Sequence, residues 1–207
     1  MVTTEKTLAI IGAIAKVIEE NKQYLSDLDQ AIGDGDHGFN LARGFEAVSA
    51  KLQAQPPANP GAVFKTTAMA LISSVGGASG PLYGTLFLKM AAAAGDKEGI
   101  DLAGFAALLK EGVKGVQERG KAVLGEKTML DVQIPVLELL EKEAAAGSGG
   151  KAALEKAVTL ARQCRDGTKD IIATKGRASY LGERSRGHID PGAASSCLML
   201  EAIAGEL

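Results

Sequence analysis

The sequence has no tryptophan, two cysteines and six prolines, and aromatic residues make up only 4% of its 207 residues. Two cysteines in a chain of this length do not form a disulfide framework, so Cys164 and Cys197 are predicted to be reduced thiols and the protein to be cytoplasmic. No apolar run approaches the roughly 20 residues that a membrane helix needs, so no membrane partner is expected. The net charge of −2 lacks the basic excess of general nucleic-acid-binding proteins, which argues against a nucleic-acid partner.

Glycine is the residue present in excess, with 26 copies, close to twice its usual share of about 7%. Hydrophobic residues at 46% and charged residues at 23% are typical of a globular protein and exclude intrinsic disorder. The glycines therefore lie in loops or at positions of close backbone packing. Thirteen of the 26 gather in four short segments between predicted helices.

Apolar residues recur at helical spacing along most of the chain, and no strand-like alternation is bounded by turn residues. The pattern predicts an all-α fold in one domain that spans residues 1–207, with Pro135 kinking one helix or marking its start. The eight predicted helices are marked by apolar positions that span residues 8–18, 41–52, 63–75, 83–94, 102–116, 130–140, 154–172 and 193–204. In an up-and-down bundle alternate connections share one end, so several glycine-rich loops are expected to meet there.

The first glycine-rich segment holds three carboxylates, Asp29, Asp34 and Asp36, within eight residues. Glycine lets the backbone turn sharply enough to aim them at one point, and a hard divalent cation such as Mg²⁺ relieves their repulsion. An EF-hand loop that starts at Asp34 is excluded, because its twelfth position is Phe45 instead of a bidentate glutamate. A solvated acidic turn that caps a helix is the alternative, but the added Asp29 and the neighbouring His37 favour a metal site.

The second segment, residues 73–85, places small residues before a predicted helix. Backbone N–H groups and the positive dipole end at such a helix start suit a phosphate group, and Ser79 adds a hydroxyl donor. No G-x-x-x-x-G-K-[ST] pattern occurs, which excludes a Walker-type site. A tight turn with close helix packing explains this segment equally well.

The third segment, residues 175–192, contains four basic residues, His188 and a Pro-Gly pair that opens the last helix. Arginine forks match phosphate oxygens and stabilise charge on a transferring phosphoryl group, although a solvated basic loop is the simpler alternative. The fourth segment, residues 119–131, is interpreted as a loop that caps a helix. Together the segments indicate a helical, Mg²⁺-dependent nucleotide- or phosphate-binding protein.

In this sequence the four segments contain the motifs LDQAIGDGDHG, SSVGGASGPLYGT, GEKTMLD and GRASYLGERSRGHIDPGA. In this order, and over essentially the whole chain, the sequence resembles the nucleotide-binding L subunit of dihydroxyacetone kinase. The resemblance implies an antiparallel barrel of eight helices with ADP or ATP and two Mg²⁺ ions bound in loops at one end. Asp29, Asp34 and Asp36 match the metal ligands of the family.

The resemblance further implies which residues bind ADP and which proteins cooperate with the chain. Arg177 is the expected catalytic residue as well as a nucleotide contact. The positions that match ADP contacts are His37, Gly38, Phe39, Asn40, Ala78, Ser79, Gly120, Met129, Arg177, Asp190, Pro191 and Gly192. In the family a separate K subunit holds dihydroxyacetone through its own histidine, and a phosphohistidine on an M subunit rephosphorylates the bound ADP. The alternatives are an L subunit that exchanges free ATP, one that serves a related keto-sugar kinase, and a nucleotide-dependent regulatory module.

Overall fold

The computed structural model describes residues 1–207, and most of them lie in helices. The nine α-helices are α1 (Thr4–Glu20), α2 (Lys22–Ile32), α3 (His37–Ala54), α4 (Pro60–Ser74), α5 (Ser79–Ala94), α6 (Leu102–Gly120), α7 (Leu130–Ala145), α8 (Gly150–Gly167) and α9 (Pro191–Gly205). Two 3-10 segments, Thr168–Asp170 and Arg177–Ser185, lie between α8 and α9. Two short strands, β1 (Val2–Thr3) and β2 (Gly99–Ile100), pair antiparallel. The all-α prediction is confirmed apart from this two-residue ribbon.

The helix count differs from the predicted eight because residues 22–32 form a further helix, α2. Asn21 alone separates α2 from α1, so the two helices have no polar loop between them to mark a boundary. The buried residues of α2 are Leu25, Ser26, Asp29 and Ile32. Half of this face is polar, which hides the apolar periodicity on which the sequence prediction depends. Asp29 therefore lies in the last turn of a helix and not in a loop.

Among the other differences from the prediction, three concern the end of one helix, the start of another and the place of Pro135. The helix expected over residues 154–172 ends at Gly167, because the chain then forms a 3-10 turn in which the Thr168 carbonyl bonds the Lys127 ammonium. Helix α5 begins at Ser79, one turn before the predicted start at Tyr83. Pro135 lies inside α7, so it does not mark the start of that helix.

The helices pack in chain order around a shared apolar core. Helix α1 packs against α3, each helix from α3 to α8 packs against the next one, and α9 packs back against α1. Helix α2 packs against α3 and α9. Several helices approach closely where one of them carries glycine: a Cβ on Gly112 of α6, for instance, would lie 2.8 Å from a methyl carbon of Leu86 on α5.

The two ends of the molecule differ in character. Residues from the connections α2–α3, α4–α5, α6–α7 and α8–α9 line one polar cleft. At the other end, where α9 finishes and α1 starts, lies a larger apolar cavity of about 520 Å³. The loops that hold the predicted chemistry thus meet at the polar end. No helix is both long enough and apolar enough to span a bilayer.

Candidate functional site

The polar cleft has a volume of about 170 Å³ and brings together most of the residues singled out in the sequence. The apolar cavity at the opposite end is larger, but it contains none of them. Eleven of the fifteen predicted site residues line the cleft: Asp29, Asp34, Asp36, His37, Ala78, Ser79, Met129, Arg177, Asp190, Pro191 and Gly192. The candidate site is therefore located by its chemistry and not by the size of the cavity.

The three carboxylates converge on one point, with an oxygen of each within 4.8 Å of the others. Asp29 is buried in α2, whereas Asp34 and Asp36 lie in the turn that leads to α3. The Oδ2 atom of Asp29 accepts hydrogen bonds from the backbone N–H groups of Asp36 (2.9 Å) and His37 (3.1 Å), which ties this turn to α2. A Cβ on Gly33 would lie only 2.1 Å from Asp29 Oδ1, so glycine there leaves room for the second oxygen.

The electrostatics of this cluster suit a hard divalent cation. Burial raises the pKa of Asp29, and the negative charges of Asp34 and Asp36 raise it further, while the two backbone N–H donors partly offset the effect. A bound cation would remove the repulsion that opposes ionisation. All three donors are carboxylate oxygens, the ligand type that Mg²⁺ prefers. The donor set therefore fits the predicted metal.

Arg177 lies next to the carboxylates. Its Nη2 atom is 2.9 Å from Oδ2 of Asp34, and both side chains are partly open to solvent. The arginine begins the 3-10 segment, and the following residue, Ala178, packs in a small apolar cluster with Ile32 and Ala173. This arrangement places a guanidinium group at the mouth of the cleft, beside the metal ligands.

A chain of buried hydrogen bonds links three helices behind the cleft. The Nδ1 atom of His37 is 2.9 Å from the Ser79 hydroxyl oxygen, and its Nε2 atom is 2.9 Å from that of Ser195. The Tyr83 hydroxyl then bonds Ser195 (2.7 Å) and Ser196 (2.9 Å). Burial lowers the pKa of His37 to about 4, so the imidazole is neutral at pH 7. A neutral ring between two hydroxyl groups orients Ser79 at the start of α5.

Two helix starts face the cleft and differ in how their N–H groups are satisfied. No side chain caps α5, whose first residue is Ser79, so its first N–H groups are free to bind an anion. At α9, Asp190 accepts a hydrogen bond of 2.7 Å from the Ala193 N–H. Burial raises the pKa of Asp190 to about 7. The start of α5 is thus the better place for a phosphate group.

Four predicted residues lie next to the cleft without lining it. Gly38 packs against α2, where an added Cβ would lie 1.9 Å from the Lys22 carbonyl oxygen. Phe39 is 46% exposed, and Asn40 is buried and accepts a hydrogen bond of 2.7 Å from Arg43. Gly120 ends α6 on the surface. Their assignment to nucleotide binding stays a prediction.

Sequence reasoning did not single out several lining residues. They are Ile32, Gly76, Gly77, Leu82, Lys127, Thr128, Lys175, Gly176 and Ala178. All of them lie inside the recognised segments, so their presence could be anticipated but not their orientation. Lys127 is the least expected of them, because the residue is only 1% exposed and nothing in a single sequence marks a lysine as buried.

Comparison with known proteins identifies a matching family model and similar bacterial proteins. A family model described as the DAK2 domain matches residues 31–205. The chain is 52% identical over 186 residues to the "PEP-dependent dihydroxyacetone kinase 1, ADP-binding subunit DhaL" of Listeria innocua, a match that covers 90% of this chain and 88% of the relative. It is 44% identical over 203 residues to the "PTS-dependent dihydroxyacetone kinase, ADP-binding subunit DhaL" of Lactococcus lactis, a match that covers 98% of this chain and 97% of the relative.

The fold also resembles a solved structure, that of the dihydroxyacetone kinase from C. freundii in complex with AMP-PNP and Mg²⁺. The TM-score is 0.73 at 22% identity, and the match covers 97% of this chain but 34% of the larger protein. This likeness establishes the fold alone. Family membership is established by the family model, which spans most of the chain, and by the two bacterial relatives. The chain belongs to the DAK2 domain family, together with the DhaL ADP-binding subunits of bacterial dihydroxyacetone kinases.

Proposed function

We propose that this chain is the ADP/ATP-binding, phosphoryl-donor subunit of a dihydroxyacetone kinase, and that it transfers a phosphoryl group from Mg²⁺-bound nucleotide to dihydroxyacetone on a separate K subunit. The observation that carries the proposal is the meeting of three groups in one cleft: three carboxylates within 4.8 Å, the uncapped start of α5, and Arg177. Phosphoryl transfer requires metal ligands, phosphate donors and a cation at the transferring group.

The carboxylates of Asp29, Asp34 and Asp36 would hold the metal, for which we propose two Mg²⁺ ions. When bound, Mg²⁺ neutralises charge on the nucleotide phosphates. The backbone N–H groups at Ala78 and Ser79 would bind phosphate oxygens, with the Ser79 hydroxyl oriented by neutral His37. The remaining predicted ADP contacts, at the starts of α3 and α9 and around Gly120 and Met129, would hold the rest of the nucleotide.

Arg177 is the proposed catalytic residue. Its guanidinium group carries a fixed positive charge, and the ion pair with Asp34 holds it beside the metal ligands. An arginine at that point stabilises the charge that is spread over the transferring phosphoryl oxygens. Asp34 would thus act twice, as a metal ligand and as the group that keeps Arg177 at the cleft.

The finer parts of the proposal concern the assembly. We propose that the chain is cytoplasmic and that ADP stays bound and is rephosphorylated in place by a phosphohistidine on an M-type subunit. The names of the bacterial relatives, PEP- or PTS-dependent ADP-binding subunits, support this choice over an L subunit that exchanges free ATP. The order of helix neighbours, which runs from α1 and α3 through α9 back to α1, supports an eight-helix barrel with α2 as an additional helix.

The first experiment is native mass spectrometry of the purified full chain. We expect a retained mass of ADP plus two Mg²⁺ ions. Asp34→Ala should lose both, whereas Asp27→Ala, an exposed carboxylate on α2 outside the cleft, should keep them. A chain that is isolated empty and gains no thermal stability from Mg·ADP would contradict the proposal, because a ligand that binds only the folded state raises the melting temperature.

The second experiment separates the donors and tests turnover. The full chain is mixed with a K subunit, dihydroxyacetone and either ATP or a phosphorylated M subunit. Product with the M subunit alone supports bound, recycled ADP, and product with ATP alone supports an ATP-exchanging subunit. Nucleotide binding without product from either donor would favour a regulatory module.

A further inference from the structure

Lys127 is the one cationic side chain buried in the protein, and it lies at the candidate site. The residue is 1% exposed, and no other Lys or Arg is buried. No carboxylate forms an ion pair with it, although Asp190, Asp131 and Asp170 lie near enough to affect it. Removing an ammonium group from water is unfavourable unless its N–H groups are all bonded. The compensation for burying Lys127 must therefore come from hydrogen bonds.

Three backbone carbonyl groups provide those bonds. The Nζ atom donates to the carbonyl oxygens of Thr168, Ile171 (3.2 Å) and His188. An ammonium group has three N–H donors, so these acceptors satisfy all of them. Although Lys127 lines the cleft, no donor is left for a phosphate oxygen. The ammonium group thus serves the protein's own backbone.

The three carbonyl groups lie at the two ends of one segment. Thr168 and Ile171 precede residues 172–187, and His188 follows them. Two further hydrogen bonds join the same two ends of the segment: the Gly187 N–H donates to the Lys169 carbonyl (2.7 Å), and the Asp190 N–H donates to Thr168 Oγ1 (3.0 Å). Lys127 therefore joins the entry and exit of this segment through a single buried charge.

The segment 172–187 carries Arg177, and few bonds tie it to the rest of the chain. Apart from the bonds at its two ends, it is held by the Arg177–Asp34 ion pair, by hydrogen bonds from Thr174 to Glu126, and by the apolar cluster around Ile32. Its tip is open to water, where Tyr180 is 89% exposed. The position of the arginine thus depends on the hydrogen bonds that join the two ends of the segment.

The backbone conformation of Lys127 indicates that the local structure enforces the inward orientation of its side chain. Its φ of 62° lies in the left-handed region, which a lysine rarely adopts. Such a conformation persists only where the surrounding contacts enforce it. Two hydrogen bonds to Asp131 hold the neighbouring backbone, from the Gly125 N–H (2.6 Å) and the Thr128 N–H (2.7 Å). The turn before α7 is thus built to direct Lys127 inward.

We propose that Lys127 is a positioning residue for phosphoryl transfer: it clamps both ends of the segment 172–187 and thereby holds Arg177 at the cleft. Its assignment to catalysis rests on the function proposed above, whereas the clamp itself does not. The two parts can therefore be tested separately, one without turnover and one with it.

Limited trypsin digestion tests the clamp. The segment offers four cleavage sites, at Lys175, Arg177, Arg184 and Arg186. In Lys127→Met, which keeps the length of the chain but removes the donors, cleavage within 172–187 should accelerate by about tenfold or more, because the local opening that exposes these sites becomes easier. Lys114→Met, an exposed lysine on α6, is the matched control and should digest like the parent chain.

Equal digestion rates for Lys127→Met and Lys114→Met would overturn the clamp, and so would cleavage that spreads over all the helices at once. If Lys127→Met does not fold, Lys127→Gln, which keeps a neutral N–H donor, serves in the same comparison. Digestion requires no kinase activity, so this result stands or falls independently of the proposed function.

A double-mutant cycle tests the catalytic part with the K subunit present. Lys127→Met should lower turnover by about tenfold or more while the Kd for Mg·ADP changes much less, since the residue acts through Arg177. In the Arg177→Ala background the same substitution should lower turnover little further, because the effects of residues that act together are not additive. Additive losses, or equal losses in turnover and ADP binding, would show that Lys127 has a general structural role only.

Discussion

At the scale of single residues, burial determines the charge of the groups around the cleft. It lowers the pKa of His37 to about 4 and raises that of Asp190 to about 7. It also lowers the pKa of Lys127. Backbone groups compensate for the loss of water: Asp190 accepts from the Ala193 N–H, and Lys127 donates to three carbonyl groups. The charges of Asp34, Asp36 and Arg177, in contrast, lie in exposed positions that a ligand can reach.

The raised pKa of Asp190 predicts a pH dependence of stability. The unfolded chain releases this proton near the ordinary pKa of 3.8, but the folded chain keeps it up to about pH 7. The folded state binds more protons in between, so the contribution of Asp190 to stability is full below about pH 4 and falls as the pH rises towards 7. Asp190→Asn, which can still cap α9, has no such titration.

Urea unfolding of the metal-free chains between pH 4 and pH 7 measures this effect. The free energy of unfolding of the parent chain should fall relative to Asp190→Asn as the pH rises, by up to a few kcal/mol, since one pKa unit corresponds to about 1.4 kcal/mol. The titration of His37 is common to both chains and cancels in the difference. Parallel curves would show that Asp190 ionises normally in the folded protein.

At the scale of elements, close helix packing gives several glycines a role that flexibility does not explain. Gly38 lies in the first turn of α3, and its Cα faces the Lys22 carbonyl at the start of α2. The contact sets how closely α3 lies against α2, the helix that carries Asp29. Gly12 in α1 is the opposite case: apart from its chain neighbours and the nearby backbone of α1 itself, no atom lies within 4 Å of an added Cβ.

Alanine substitution should therefore have opposite effects at these two glycines. Gly38→Ala places a Cβ 1.9 Å from a backbone oxygen, and the resulting shift should destabilise the protein by about 1–3 kcal/mol. Gly12→Ala should stabilise it by up to about 1 kcal/mol, since alanine favours the helix and meets no neighbour. Urea unfolding of both variants gives the comparison. A Gly38→Ala chain as stable as the parent would mean that α2 and α3 can separate freely.

At the scale of the whole molecule, the alternation of helix directions gathers four connections at one end and leaves the others at the opposite end. The cleft is built from residues as far apart in sequence as Asp29 and Gly192. The bond between His37 and Ser195 spans 158 residues, and the bond between Tyr83 and Ser196 spans 113. A ligand in the cleft would thus contact all four connections at once.

Hydrogen–deuterium exchange with and without Mg·ADP tests this organisation. We expect slower exchange in residues 33–36, 75–78, 121–129 and 168–190, because a ligand that joins these connections suppresses their local opening. The connections at the far end, residues 55–59, 95–101 and 146–149, should exchange at an unchanged rate and serve as the internal control. Protection confined to a single connection, or equal at both ends, would contradict a shared binding site.

The sequence by itself determined the features that depend on neighbouring residues. Apolar periodicity located eight of the nine helices, because a helix that packs on a core must repeat its apolar residues every three or four positions. The spacing of Asp29, Asp34 and Asp36 among glycines predicted their convergence, which the structure shows within 4.8 Å. The motif order identified the family, which the DAK2 domain match confirms.

Only the tertiary structure decided the features that depend on burial and on distant partners. Helix α2 escaped prediction because half of its buried face is polar, and its burial comes from α3 and α9. Lys127 carries no sign of its role in the sequence, since lysine is usually exposed and its three acceptors lie 41 to 61 residues away. The charge of His37 follows from the helices that cover it. A local pattern defines which groups are present, but their burial and their distant partners are properties of the whole fold, and these set which groups are charged and where they point.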